Sequence, residues 1–113
     1  MYRVKKRLEI SAAHKLNLDY KSKCENIHGH NWIIEIICQS EELDNNGMVY
    51  DFTHIKKNIS DQLDHKYIND VIGCNPTAEN IGRWIAETIG DKCVKVIVQE
   101  SEGNVAEYER PDC

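Results

Sequence analysis

The stretch His28 to Gln39, "HGHNWIIEIICQ", places His28, His30, Trp32, Ile34 and Ile36 at every second position. Alternation with this period is the signature of a strand with one face buried, and the β-branched and aromatic content suits a pleated surface. The same period occurs earlier, where Leu8, Ile10, Ala12 and His14 alternate with Arg7, Glu9, Ser11 and Ala13. The two strands predicted on either side of the polar loop, about Lys15 to Ile27, therefore both carry histidines at the ends of their apolar faces.

From Asp51 the period changes to four. Ile55, Ile59 and Leu63 predict a helix ending near Asp64, with Asp51 or Thr53 able to accept a backbone N–H at its start. In "NPTAENIGRWIAETIG" Thr77 is a candidate N-cap after Pro76. Ile81, Trp84, Ile85 and Ile89 form one stripe, and Gly90 is a stop, which predicts a second helix. "VKVIVQES" then alternates again, and after the "EGN" turn "VAEYE" can return as its partner. The order ββααββ, with short turns joining the strand pairs, predicts an α+β fold: a four-stranded antiparallel sheet with both helices on one face. The opposite face and the sheet edges then need cover, which a symmetric oligomer would supply.

With 113 residues and no internal repeat or linker, the chain is expected to form a single domain over residues 1–113. Fourteen basic against 19 acidic residues give a net charge of −5, which disfavours nucleic acid and anionic membranes as partners. No apolar run approaches the roughly 20 residues of a membrane span, and "MYRVKKRLEI" lacks the apolar segment of a signal peptide, so a cytoplasmic location is expected. Five cysteines, Cys24, Cys38, Cys74, Cys93 and Cys113, are odd in number and irregular in spacing, and reduced thiols are expected.

The histidines carry the chemistry. On a strand, His28 and His30 point the same way with Cα atoms about 6.6 Å apart, so two rings leaning inward can meet one ion. If the first two strands are antiparallel neighbours, His14 is the natural third ligand. Three neutral imidazoles leave one tetrahedral position open, as catalytic zinc requires. Cys24 in the intervening loop then has two possible roles, a fourth ligand that closes the site or a thiol beside an electrophilic cation, placed to act as a base. Asp64 and His65 follow the first helix, where the carboxylate could orient the imidazole or the histidine could simply decorate a helix C-terminus. Read residue by residue, Glu100 is a strand-end charge, Glu79 a helix N-terminal acid and His54 a surface residue.

Taken in order, "SAAH", "CENIHGHN", "GMVYDF", "LDHKYIND", "NPTAENI" and "VQES" resemble the 6-pyruvoyltetrahydropterin and 6-carboxytetrahydropterin synthase family, over about residues 3 to 108. The resemblance implies the T-fold, in which such subunits join into a β-barrel, commonly as a hexamer or tetramer, with sites that draw on more than one chain. It implies Zn2+ held by His14, His28 and His30, with Cys24 as base, Asp64 and His65 as a relay, and Glu100 as the anchor for the pterin ring. The implied substrate is 7,8-dihydroneopterin triphosphate. The three residues between Cys24 and His28 resemble the bacterial queuosine-pathway branch, whose product is 6-carboxytetrahydropterin with loss of acetaldehyde and triphosphate. The alternatives are the pyruvoyl product and a zinc- or pterin-binding module without turnover. An aldolase acting on dihydroneopterin would not need three metal histidines. Two departures from the family pattern are Ile10, where an aromatic is common, and Ser101, where a threonine is common. Lys15, Lys21, Lys23 and Lys66 read as solvated loop lysines before they read as contacts to the triphosphate.

Overall fold

The computed structural model describes residues 1–111. Strands β1 (Tyr2–His14) and β2 (His28–Ser40) are followed by helices α1 (Phe52–Leu63) and α2 (Ala78–Ile89), then by β3 (Cys93–Ser101) and β4 (Asn104–Glu109). The strands form one antiparallel sheet in the order β1-β2-β3-β4, and both helices pack on the same face, as the periodicity predicts.

The first strand is longer than its alternating stretch suggested. It begins at Tyr2 because β2 runs for 13 residues and offers a partner throughout, from Tyr2 against Ser40 to His14 against His28. Backbone pairing thus extends the strand through the basic segment Arg3 to Arg7, where side-chain alternation is weak.

The core lies between the sheet and the helices. Leu8, Ile10, Trp32, Ile34, Ile36, Val96 and Val98 meet Ile55, Ile59 and Leu63 of α1 and Ile81, Ile85 and Ile89 of α2. Each aliphatic side chain removed from water contributes about 1.5–3 kcal/mol, so these two stripes fix which helix faces turn inward. Asp51 caps α1 by accepting from the Thr53 N–H, Thr77 caps α2 through the Asn80 N–H, and Gly90 ends α2 at φ 109°. Gly82 lets α2 approach the sheet closely: a Cβ there would lie 3.4 Å from Tyr108 Cβ and 3.5 Å from Val98 Cγ2.

The outer sheet face carries Ile33 and Ile97 between long charged side chains, including the 2.6 Å Lys95–Glu107 pair. Cys24, Cys38, Cys74 and Cys93 are free, as expected for reduced thiols, and Cys113 lies outside the described residues. Among the described residues no helix is long and apolar enough to cross a membrane.

Candidate metal centre

The site lies where β1 ends and β2 begins. Antiparallel register sets His14 opposite His28 and Ala12 opposite His30, so the three imidazoles converge on the helix-bearing face. Their ring centroids are 4.5 Å (His14–His28), 4.9 Å (His28–His30) and 5.3 Å (His14–His30) apart. Trp32, fully buried, forms the floor edge-on to His14 and His30, and its indole N–H donates to the Ala12 carbonyl at 3.1 Å.

Local structure fixes two of the rings. His14 Nδ1 lies 2.8 Å from the Pro76 carbonyl oxygen and His28 Nδ1 lies 2.8 Å from that of Asn26. A carbonyl can only accept, so each Nδ1 carries the proton and each Nε2 is left with a lone pair, the arrangement that orients metal-binding histidines. Burial pushes the pKa of His14 down, reinforced by His28 and His30 and opposed by the Pro76 carbonyl and Glu100. A neutral His14 is the form a metal accepts.

Glu100 joins this group, which corrects its reading as a mere strand-end charge. Its Oε1 is 3.2 Å from His14 Nε2 and 3.3 Å from His30 Nε2. One ligand atom from each of His14, His28, His30 and Glu100 lies within 4.8 Å of the others, a grouping that could hold a metal ion. The fit is chemical as well as spatial. His14 Nε2 and His30 Nε2 are shielded from solvent without a hydrogen-bond partner, a costly state that an ion between them would relieve. Nitrogen donors with one carboxylate are a donor set that zinc takes.

Cys24 borders the same centre from a short 3-10 turn, Lys23–Glu25, held by a reciprocal cap between Ser22 and Glu25. It is half-buried and shares a cavity of about 560 Å3 with His28, His30, Glu100, Ser101 and Asn104. Cys24 is absent from the ligand grouping. Ser101, noted in the sequence only as a departure from the family pattern, is joined by a 2.9 Å hydrogen bond to Asn104, which was missed in the sequence, as were the carbonyls of Pro76 and Asn26; a backbone acceptor has no side-chain signature.

Asp64 and His65 are placed elsewhere. They belong to a segment laid along β1: Asp64 Oδ1 accepts from the Ser11 N–H at 2.9 Å, the His65 N–H donates to the Ser11 carbonyl at 2.7 Å, and the Ala13 N–H donates to the Lys66 carbonyl at 3.1 Å. His65 adopts a left-handed φ of 58° and is largely exposed, and its Nε2 stands 3.7 Å from Asp64 Oδ2, longer than a hydrogen bond. It borders a second concavity of about 510 Å3 with Ser11, Asn31, Lys66 and Tyr67, which meets the first at Gly29 and His30. Within one chain Cys24 and His65 thus face different openings. His54 and Glu79 take the positions expected of them, His54 exposed on α1 and Glu79 in the first turn of α2.

An antiparallel sheet backed by two helices, with three histidines and a glutamate converging at one end, defines a class of candidate metal-binding α+β proteins. The chain belongs to the 6-pyruvoyl tetrahydropterin synthase family, whose model matches residues 3–111. It is 30% identical to 6-carboxy-5,6,7,8-tetrahydropterin synthase of Rickettsia felis, across 100% of this chain and 97% of that protein. It is 35% identical over 86 residues to dihydroneopterin monophosphate aldolase of Pyrococcus furiosus, covering 74% of this chain and 70% of the relative. The fold matches the structure of Caenorhabditis elegans 6-pyruvoyl tetrahydropterin synthase with a TM-score of 0.76 at 25% identity, over 97% of this chain and 96% of that one.

Proposed function

We propose that this chain is a zinc-dependent 6-carboxytetrahydropterin synthase. It converts 7,8-dihydroneopterin triphosphate and water to 6-carboxy-5,6,7,8-tetrahydropterin, acetaldehyde and triphosphate, as a cytoplasmic step of queuosine (7-deazaguanine) biosynthesis. The observation that carries this reading is one cavity bringing together His28, His30, Glu100 and the Cys24 thiol, with His14 buried behind them.

His14, His28 and His30 hold the metal in this reading. When bound, zinc supplies Lewis acidity toward the oxygens of the substrate's side chain, making the adjacent C–H bonds more acidic. A pterin presents neighbouring N–H donors like one edge of a guanidine, and the Glu100 carboxylate accepts two charge-assisted hydrogen bonds from it, each worth about 1.5–3 kcal/mol. With the ring so held, Cys24 removes a proton from the side-chain carbon. Asp64 and His65 return or relay protons. Because they border a separate opening, a homo-oligomer, hexamer or tetramer, in which His65 serves a neighbouring copy's Cys24 is the arrangement that lets them act. Nucleic acid and membranes are not partners in this reading.

The similarity to the archaeal aldolase favours one second reading, a retro-aldol cleavage of the same side chain. Incubating the zinc-loaded protein with 7,8-dihydroneopterin triphosphate separates them. Free triphosphate, acetaldehyde and a carboxypterin support the synthase. A shortened pterin without free triphosphate identifies the aldolase, a pyruvoyl product the sister synthase, and binding without turnover a non-catalytic module.

A further inference from the structure

Glu100 is asked to do two things in the reading above. Its carboxylate is the anchor for the pterin ring, yet its Oε1 sits among the metal-ligand nitrogens, 3.2 Å from His14 Nε2 and 3.3 Å from His30 Nε2. These contacts are longer than the 2.7–2.9 Å of a charge-assisted hydrogen bond, and both Nε2 atoms remain without a hydrogen-bond partner. With the His14 proton committed to the Pro76 carbonyl, the Nε2 lone pair faces a carboxylate oxygen. Two acceptors turned toward each other repel unless a cation lies between them. Ligands bonded at roughly 2.0–2.1 Å in a tetrahedron stand about 3.3 Å from one another, which is the spacing of Glu100 Oε1 from these two nitrogens.

The β3–β4 ladder pairs Gln99 with Val105 and Ser101 with Asn104, skipping Glu100, and the β2–β3 ladder ends at Ile33 against Gln99. Glu100 is therefore the unpaired residue of a bulge, a position that re-aims a side chain, and its side chain is 28% exposed to the cavity it shares with Cys24.

We propose that in the pterin-free protein Glu100 Oε1 is the fourth ligand that closes the metal site, and that the pterin ring draws this carboxylate away, opening the position the substrate's side chain takes. The proposal rests on the pterin function proposed above. Its consequence is selectivity by exchange. A ligand that engages Glu100 but brings no side-chain oxygen leaves the ion one donor short, so such a ligand and zinc each weaken the other's binding by the same factor.

The test uses unsubstituted pterin, the ring system without the side chain, and zinc affinity measured by competition with a chromophoric chelator. Without pterin, E100A and E100Q should each bind zinc at least about tenfold more weakly than wild type. Saturating pterin should weaken zinc binding to wild type by a comparable factor and leave both variants unchanged. Because Gln preserves the size of Glu, equal melting of E100Q and wild type in chelator ensures that a loss of affinity is not a loss of fold. Unchanged zinc affinity in the variants overturns the coordination, and wild-type zinc affinity indifferent to bound pterin overturns the exchange. Failure of metal-free wild type to bind pterin overturns the functional reading, and the exchange with it. That failure is distinguishable, since the zinc comparison is made without pterin.

Discussion

His14 Nδ1 donates to the Pro76 carbonyl at 2.8 Å, tying the end of β1 to the turn that opens α2. His14 is fully buried whereas His28 is partly open, so the two should differ as structural elements while matching as ligands. His14→Ala is expected to lose zinc and also to lower the unfolding free energy of the metal-free protein by about 2–4 kcal/mol, from the cavity and the orphaned carbonyl. His28→Ala should lose zinc with little change in metal-free stability. Chelator-treated urea melts of the two variants measure the contrast.

The same burial sets a pH dependence. The folded pKa of His14 lies below its reference value of 6.5, chiefly because burial disfavours the charged ring. As pH falls through 6.5 the unfolded chain takes up a proton that the folded chain resists, so this contribution is present above 6.5 and is lost toward acid. Metal-free wild type should therefore lose stability between pH 7.5 and 5.5 more steeply than His14→Gln. Parallel slopes in urea melts at the two pH values would remove buried neutral His14 as the cause.

Cys24 borders the centre without joining its ligand grouping. Cys24→Ala is expected to keep one zinc per chain by elemental analysis while turnover falls by about 10²–10⁴, the range for a lost general base. Loss of zinc from that variant would make Cys24 a ligand instead.

Asp64 secures the edge of β1 through the Ser11 N–H. Asp64→Ala should speed amide exchange of Ser11 by roughly five- to tenfold, matching a net hydrogen bond of about 1–1.5 kcal/mol, whereas Asp64→Asn can still accept and should not. Turnover is expected to fall in both, because neither retains a carboxylate to orient His65. Exchange rates and product formation measured on the same samples separate the structural role from the chemical one.

Much of the fold could be read in the chain because side-chain period tracks burial: Ile55, Ile59 and Leu63 recur at helix spacing, and Trp32, Ile34 and Ile36 alternate. The three histidines were legible for the same reason, each continuing an apolar face. Glu100 was less so. Alternation puts it on the face of Val96 and Val98, but its proximity to His14 depends on the register between β2 and β3 and on a bulge, which no single strand encodes. The separation of Cys24 from His65 was also hidden. It follows from the Asp64 carboxylate and the His65 and Lys66 backbone bonding to the outer edge of β1, contacts whose β1 partners are backbone groups that carry no residue-specific pattern.

That contact also acts as a ruler. Ser11 and Ala13 turn their backbone groups to the open side of β1, and alternation along the strand gives Arg3, Lys5, Arg7 and Glu9 the same orientation. The 64–67 segment already occupies the last part of that row, including a parallel bridge between Ala13 and Tyr67. A strand arriving from another molecule thus finds free donors and acceptors only as far as Glu9 and meets a physical stop beyond it. The helix-terminal segment that carries His65 sets how far along β1 any neighbour can slide.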